Sequence, residues 1–114
     1  MRRCSMSPED RVRLLHMIEA TEDAMSFVAD KTRPELEQDR KTLFAVIRCV
    51  EIIGEAAARI SAATRAIAPD IPWSAIVGMR NRLVHAYFDV DTDVVWQTVT
   101  VELPALMNRI QTLL

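Results

Sequence analysis

Apolar side chains recur every three or four positions along most of the chain, the spacing that gathers side chains on one face of an α-helix. Leu14, Ile18, Thr21, Met25 and Val28 form the first such face. The helix carrying it has a clear start: Ser7 can accept a backbone N–H as N-cap, Pro8 fits the first turn, and Glu9 and Asp10 suit the positive helix end. The pattern predicts a helix from there to about Lys31, with Pro34 separating it from the next. From Glu35 the series Leu36, Leu43, Ile47, Val50, Gly54 and Ala57 keeps the same seam, which predicts a central helix of some 30 residues, roughly 45 Å long at the α-helical rise. Small residues in its second half, Gly54 and Ala56 to Ala58, permit a close helix neighbour.

Around Ala63 to Ile71 the periodicity lapses, and Pro69 and Pro72 bracket a loop that delivers Trp73. A short helix is predicted from Trp73 to about Val84. Asp91-Thr92-Asp93 offers the next N-cap, and Val94, Val95, Thr98 and Val101 continue as a helix that Pro104 should kink before Leu106, Ile110 and Leu113. The sum is an all-α, up-and-down bundle of four main helices, or five if the last is counted twice at its proline.

Composition supports that class. Half of the 114 residues are hydrophobic but only 5% are aromatic, and two glycines with five prolines provide too few turns for an all-β or α/β domain. A chain of this length fits a single domain, 1–114. No run of about 18 apolar residues is present, and Met1-Arg2-Arg3 is not followed by an apolar stretch, so a soluble cytoplasmic protein is expected, with Met6 as an alternative start. Cys4 and Cys49 lack ligand spacing and read as packing residues, as do Trp73 and Trp96. His16 has no partner at a useful spacing, so no metal site or cofactor is expected.

The net charge of −2 disfavours a general nucleic-acid binder. Its distribution is uneven: from Glu55 to Tyr87, Arg59, Arg65, Arg80 and Arg82 stand against Glu55 and Asp70. The segment Arg80-Asn81-Arg82-Leu83-Val84-His85-Ala86-Tyr87 holds the densest chemistry in the chain. Leu83 and Val84 should face the core. Arg80 and His85 lie five apart, about 140° around an ideal helix, so they converge only if the helix ends near Val84 or a second chain supplies the partner. A histidine that moves a proton at a ribose 2′-OH or leaving oxygen, with an arginine that stabilises phosphorane charge, suits metal-free RNA cleavage. Glu55 is a supporting candidate that could orient Arg80 or simply pair with it, and Arg82 one that meets RNA backbone or a neighbouring acid.

The same eight residues carry the Arg, four residues, His, any residue, Tyr pattern of the HEPN superfamily in the form borne by HepT toxins. Ile53-Gly54-Glu55-Ala56, Ile71-Pro72-Trp73, Asp91 to Trp96 and Leu103-Pro104 also resemble that family, in the same order, so nearly the whole chain is covered. The resemblance implies a two-fold homodimer with both motifs facing one composite cleft, and a metal-independent endoribonuclease whose catalytic pair is Arg80 and His85. Asn81 is then expected to help position the phosphate. It also implies a type VII toxin–antitoxin pair, in which a small MNT-type nucleotidyltransferase antitoxin transfers AMP to Tyr87. Without the family, Tyr87 reads as an ordinary half-buried tyrosine.

Two functions stay open at this level: an RNase toxin acting on tRNA or mRNA, and a non-catalytic helical subunit that binds a nucleotidyltransferase and presents a substrate or nucleotide to it. An intact Arg80, His85 and Tyr87 favours the first, and the acidic total suits the second.

Overall fold

A computed structural model of the protein describes residues 6–86 and 89–114; Cys4 and Tyr87 lie outside them. The chain is all-α apart from one two-stranded ladder. Its elements run α1 (Pro8–Val28), α2 (Arg33–Gln38), α3 (Arg40–Ala58), α4 (Ala62–Ile67), α5 (Trp73–Val77), α6 (Met79–Leu83), β1 (Val84–Ala86), β2 (Asp89–Val90), α7 (Thr92–Gln97), a π-helical turn (Thr98–Glu102) and α8 (Leu103–Leu113).

Side-chain caps fix the starts of α1, α2, α3, α4 and α7. Ser7 Oγ accepts from the Asp10 N–H at 3.1 Å ahead of Pro8. Thr32 and Glu35 form a reciprocal capping box on α2, Asp39 caps α3 through the Thr42 N–H, Ser61 caps α4 and Asp91 caps α7. Each satisfies an amide that a helix cannot pair internally.

Two of these caps, and a break at Gly78, revise the expected elements. The central helix does not begin at Glu35: Asp39, at φ −108° and ψ 85°, breaks the run into α2 and α3. The stretch where periodicity lapses contains α4, started by Ser61. The helix expected from Trp73 to Val84 is two short helices separated at Gly78, and it ends at Leu83. Near Pro104, where an irregularity was expected, the helix departs from α geometry. A proline lacks the N–H that would pair with the carbonyl four residues back, and the chain accommodates it by widening into the π-helical turn just before α8, where the Leu103 N–H reaches Thr98 O.

Helices α1 and α3 pack against each other along their length and carry most of the core, with α5, α6 and the α7–α8 arm covering the remaining sides. Fully buried Leu14 and Met17 from α1, Val46, Val50 and Ile53 from α3, and Val95, Val99, Leu103 and Ile110 from the C-terminal arm meet in one cluster. On α1 the buried stripe is centred on Leu14, Met17, Thr21 and Ala24, while Ile18 and Met25 lie half-buried at its edge. Trp73 is buried and donates from Nε1 to Ala68 O at 3.1 Å, as expected of a core residue, whereas Trp96 is half-buried.

Asp10 is the one acid in that interior, 1% exposed. It accepts from Ser61 Oγ and Thr64 Oγ1, each at 2.6 Å, and from the Ser61 N–H at 3.2 Å, which ties the start of α1 to the start of α4. Arg65 then folds back on the end of α3, donating to Ala57 O at 2.8 Å and Ile60 O at 3.2 Å, where cations suit the exposed carbonyls. Among the described residues no helix is long and apolar enough to cross a membrane.

Candidate functional site

Gly54 positions the site. A Cβ there would stand 3.3 Å from Val77 O and 3.4 Å from Ile76 O, so the glycine lets the backbone of α5 lie directly on α3. Val77 opposes Gly54 and, three residues further on, Arg80 meets Glu51, three residues back along α3. The α5–α6 segment therefore descends α3 in the antiparallel sense.

Arg80 Nε donates to Glu51 Oε2 at 3.2 Å, and the opposite oxygen, Oε1, lies 3.5 Å from Arg48 Nη1. Arg48 also stands 3.7 Å from Glu55 Oε1. Glu55 is thus not the partner of Arg80. The acid one turn earlier takes that place, because the descent of α6 carries Arg80 past Glu55 toward the start of α3. These side chains, with Gly54, Ala58, Val77 and Asn81, line an open hollow of about 530 Å³. Its charges balance, Arg48 and Arg80 against Glu51 and Glu55, so the positive excess expected of the segment is not concentrated here.

Helix α6 ends at Leu83, which meets the condition on which Arg80 and His85 could converge. Leu83 and Val84 are buried, as expected. They anchor the turn from helix to strand: β1 pairs antiparallel with β2, Val84 opposite Val90, and the Asp91 N–H donates to Leu83 O at 2.8 Å. His85 is the outward residue of β1 and is exposed. It does not line the hollow that holds Arg80 and Asn81. Arg82 points to another side of α6, where its Nη2 donates to Glu102 Oε1 at 3.0 Å beside a small apolar pocket that includes Met79 and Leu103. Tyr87, the expected modification site, lies outside the described residues. Among those residues no cluster of His, Cys, Asp and Glu could hold a metal.

Next to the hollow, and sharing Glu55 and Ala58 with it, a wider groove of about 790 Å³ runs between the first half of α1 and the second half of α3. Val12 in this groove and Val77 in the hollow are 49% and 42% exposed, so the site is bordered by uncovered apolar surface.

Sequence reasoning missed Glu51. The available signal was its spacing: Glu51 and Glu55 are one turn apart on the same face of α3, and either could have received a cation from a helix packed over Gly54.

Fold and site together define a small helical bundle that presents an arginine and an asparagine on the short helix α6 and a histidine on the strand that follows. The family model described as ribonuclease HepT-like matches residues 17–113. Over 75 residues the chain is 47% identical to a protein of Thermococcus cleftensis named "Probable ribonuclease HepT", covering 66% of this chain and 68% of that one. Two proteins of Methanocaldococcus jannaschii, each named a "Putative RNase", are 35% and 34% identical over 98 residues, 86% of this chain and 84% and 81% of theirs. No solved structure matches. The chain belongs to the HepT-like family of the HEPN superfamily.

Proposed function

We propose that the protein is a metal-independent endoribonuclease, the toxin of a two-gene toxin–antitoxin system, acting as a homodimer. The observation that carries this reading is the placement of Arg80 and Asn81 on a solvent-open hollow, with His85 exposed just beyond the end of the same helix. The family's name and the names of the relatives point to the same reaction.

In the proposed chemistry His85 removes the proton from a ribose 2′-OH. The 2′-oxygen attacks the adjacent phosphorus, the P–O5′ bond breaks, and a protonated histidine returns a proton to the leaving 5′-oxygen. The products are a 2′,3′-cyclic phosphate and a 5′-hydroxyl. Arg80 binds the non-bridging oxygens as charge grows on them, and Asn81 helps to hold the phosphate. The requirement for a 2′-OH restricts the reaction to RNA.

His85 stands outside the hollow, and a second copy related by a two-fold axis would bring another histidine to it. The exposed Val12 and Val77 beside the site give such a copy apolar surface to cover. Control is assigned to a nucleotidyltransferase partner that transfers AMP to Tyr87. A phosphate and an adenine two residues from His85 would obstruct the site and repel RNA.

The test is cleavage of several RNAs, tRNA among them, by purified protein in excess EDTA, beside His85→Ala and Arg80→Ala, after intact mass shows Tyr87 unmodified. Cleavage by the wild type with loss in both variants supports the reading. No cleavage by an unmodified dimer overturns it in favour of a non-catalytic subunit that presents a substrate to its nucleotidyltransferase. Incubating the protein with a nucleotidyltransferase encoded beside it and ATP should add one adenylyl group, mapped to Tyr87.

A further inference from the structure

We propose that Glu51 is a positioning residue for Arg80, holding its guanidinium by Nε so that the two terminal nitrogens are aimed into the hollow at an RNA phosphate; this rests on the RNase reading above.

A guanidinium is a planar, rigid fork with five donors, so fixing one nitrogen fixes the direction of the others. Among the described residues, the hydrogen bond made by Arg80 is the one from Nε to Glu51 Oε2, at 3.2 Å. The ends of the fork, which can grip phosphate oxygens in pairs, have no hydrogen-bond partner among the described residues, and the side chain lines the hollow and is 43% exposed.

Glu51 is itself held. Its other oxygen lies 3.5 Å from Arg48 Nη1, so the carboxylate bridges two guanidinium groups borne by α3 and α6. Arg48 also draws Glu55, at 3.7 Å, which leaves Glu51 as the acid at Arg80. The geometry has a backbone origin: Gly54 sets the approach of α5, and Glu51 lies one turn before it. A half-exposed ion pair contributes little to stability. What this pair fixes is direction, and misplacing a group by an ångström can cost on the order of 100-fold in rate.

The alternative role for the same carboxylate is a gate, an internal anion that occupies the phosphate's place and must leave before RNA binds. The two roles predict opposite effects of removing it. Glu51→Gln keeps an oxygen that can accept from Nε, and Glu51→Ala removes it. For a positioning residue, Glu51→Ala lowers kcat by roughly 10- to 100-fold with KM little changed, and Glu51→Gln restores most of the loss. Melting temperatures of both variants stay close to the wild type.

A second measurement does not depend on cleavage. The Arg80 Nε–Hε resonance, assigned by its disappearance in Arg80→Lys, should be protected from solvent exchange in the wild type and in Glu51→Gln, and unprotected in Glu51→Ala. Faster cleavage or tighter RNA binding by Glu51→Ala overturns the proposal in favour of a gate. Equal cleavage by all three proteins, or an unprotected Nε–Hε in the wild type, overturns it outright. If the wild type cuts no RNA, the RNase reading falls, and the exchange measurement alone decides whether Glu51 aims Arg80.

Discussion

Gly54 on α3 lies so close to Val77 that a Cβ would reach within 3.3 Å of its carbonyl oxygen. The first prediction follows from that gap. Gly54→Ala gains about 1 kcal/mol of helix propensity but pushes on two backbone carbonyls that cannot rotate away. Urea unfolding should therefore show little net change, while the displaced α5–α6 segment loosens the Glu51–Arg80 bond and lowers RNA cleavage. Gly54→Val adds bulk with no compensation and should cost about 1–3 kcal/mol. Wild-type stability and activity in Gly54→Val would show that α5 can retreat freely.

Asp10 predicts acid sensitivity. Burial by itself would raise its pKa, but hydrogen bonds from Ser61 and Thr64, helped by Arg13, outweigh burial and hold the carboxyl below its ordinary value of 3.8. A depressed folded-state pKa contributes stability above the ordinary value that disappears as pH falls through the folded one. Wild-type stability should thus drop below about pH 4 by more than that of Asp10→Ala, measured by urea titration at several pH values. At neutral pH Asp10→Ala should be less stable by about 1–3 kcal/mol, since it leaves the buried Thr64 hydroxyl without its acceptor.

Two arginines in one short helix should behave differently. Arg80 reaches the hollow, and Arg82 is engaged with Glu102 on another side of α6. Arg80→Ala is expected to lower kcat by roughly 100-fold or more, the scale of losing one charge-stabilising donor. Arg82→Ala should leave kcat near the wild-type value and weaken RNA binding modestly. Single-turnover and steady-state cleavage assays separate the two, and equal losses would refute the assignment of faces.

Cys49 should be inert. Burial is the main cause that pushes its thiol pKa up, with Asp23 adding to it, and the thiolate is the reactive form. A thiol reagent at pH 8 should leave Cys49 unmodified in the native protein and label it in urea, as read by peptide mass spectrometry. Rapid native labelling would mean that α3 opens locally.

The helical class and the caps at Ser7 and Asp91 were legible because each depends on neighbours in the chain, and the close approach at Gly54 because a run of small residues admits one, though not which helix would make it. The break at Asp39 was not. Leu36 and Leu43 are seven apart and keep the apolar rhythm across it, whereas the break comes from Asp39 bonding to Thr42 in competition with a continuous helix. On α1 the larger Ile18 and Met25 suggested the seam, but α1 is covered by both α3 and the C-terminal arm, so its buried stripe is rolled toward Met17 and Ala24. Pro104 signalled an irregularity correctly, but not its form, a widened turn whose Val99 and Leu103 are both fully buried.

At the site, Arg80 and His85 stood out in the sequence by residue type, and the structure puts Arg80 in the hollow but leaves His85 outside it. The choice of Glu51 over Glu55 was not, because both face the same way and only the direction in which α6 crosses α3 selects between them.

Helices α5 and α6 have five residues each, well short of what holds a helix together alone in water. Their order is borrowed from α3 through a glycine contact and an ion pair. The segment that bears the proposed reactive groups is therefore easier to rearrange than the long helices beneath it. In native-state hydrogen exchange its amides should open in a local event of low free energy, while those at the middle of α1 and α3 wait for global unfolding. A ligand or modification at this segment could then switch it by reordering ten residues, leaving the bundle beneath intact.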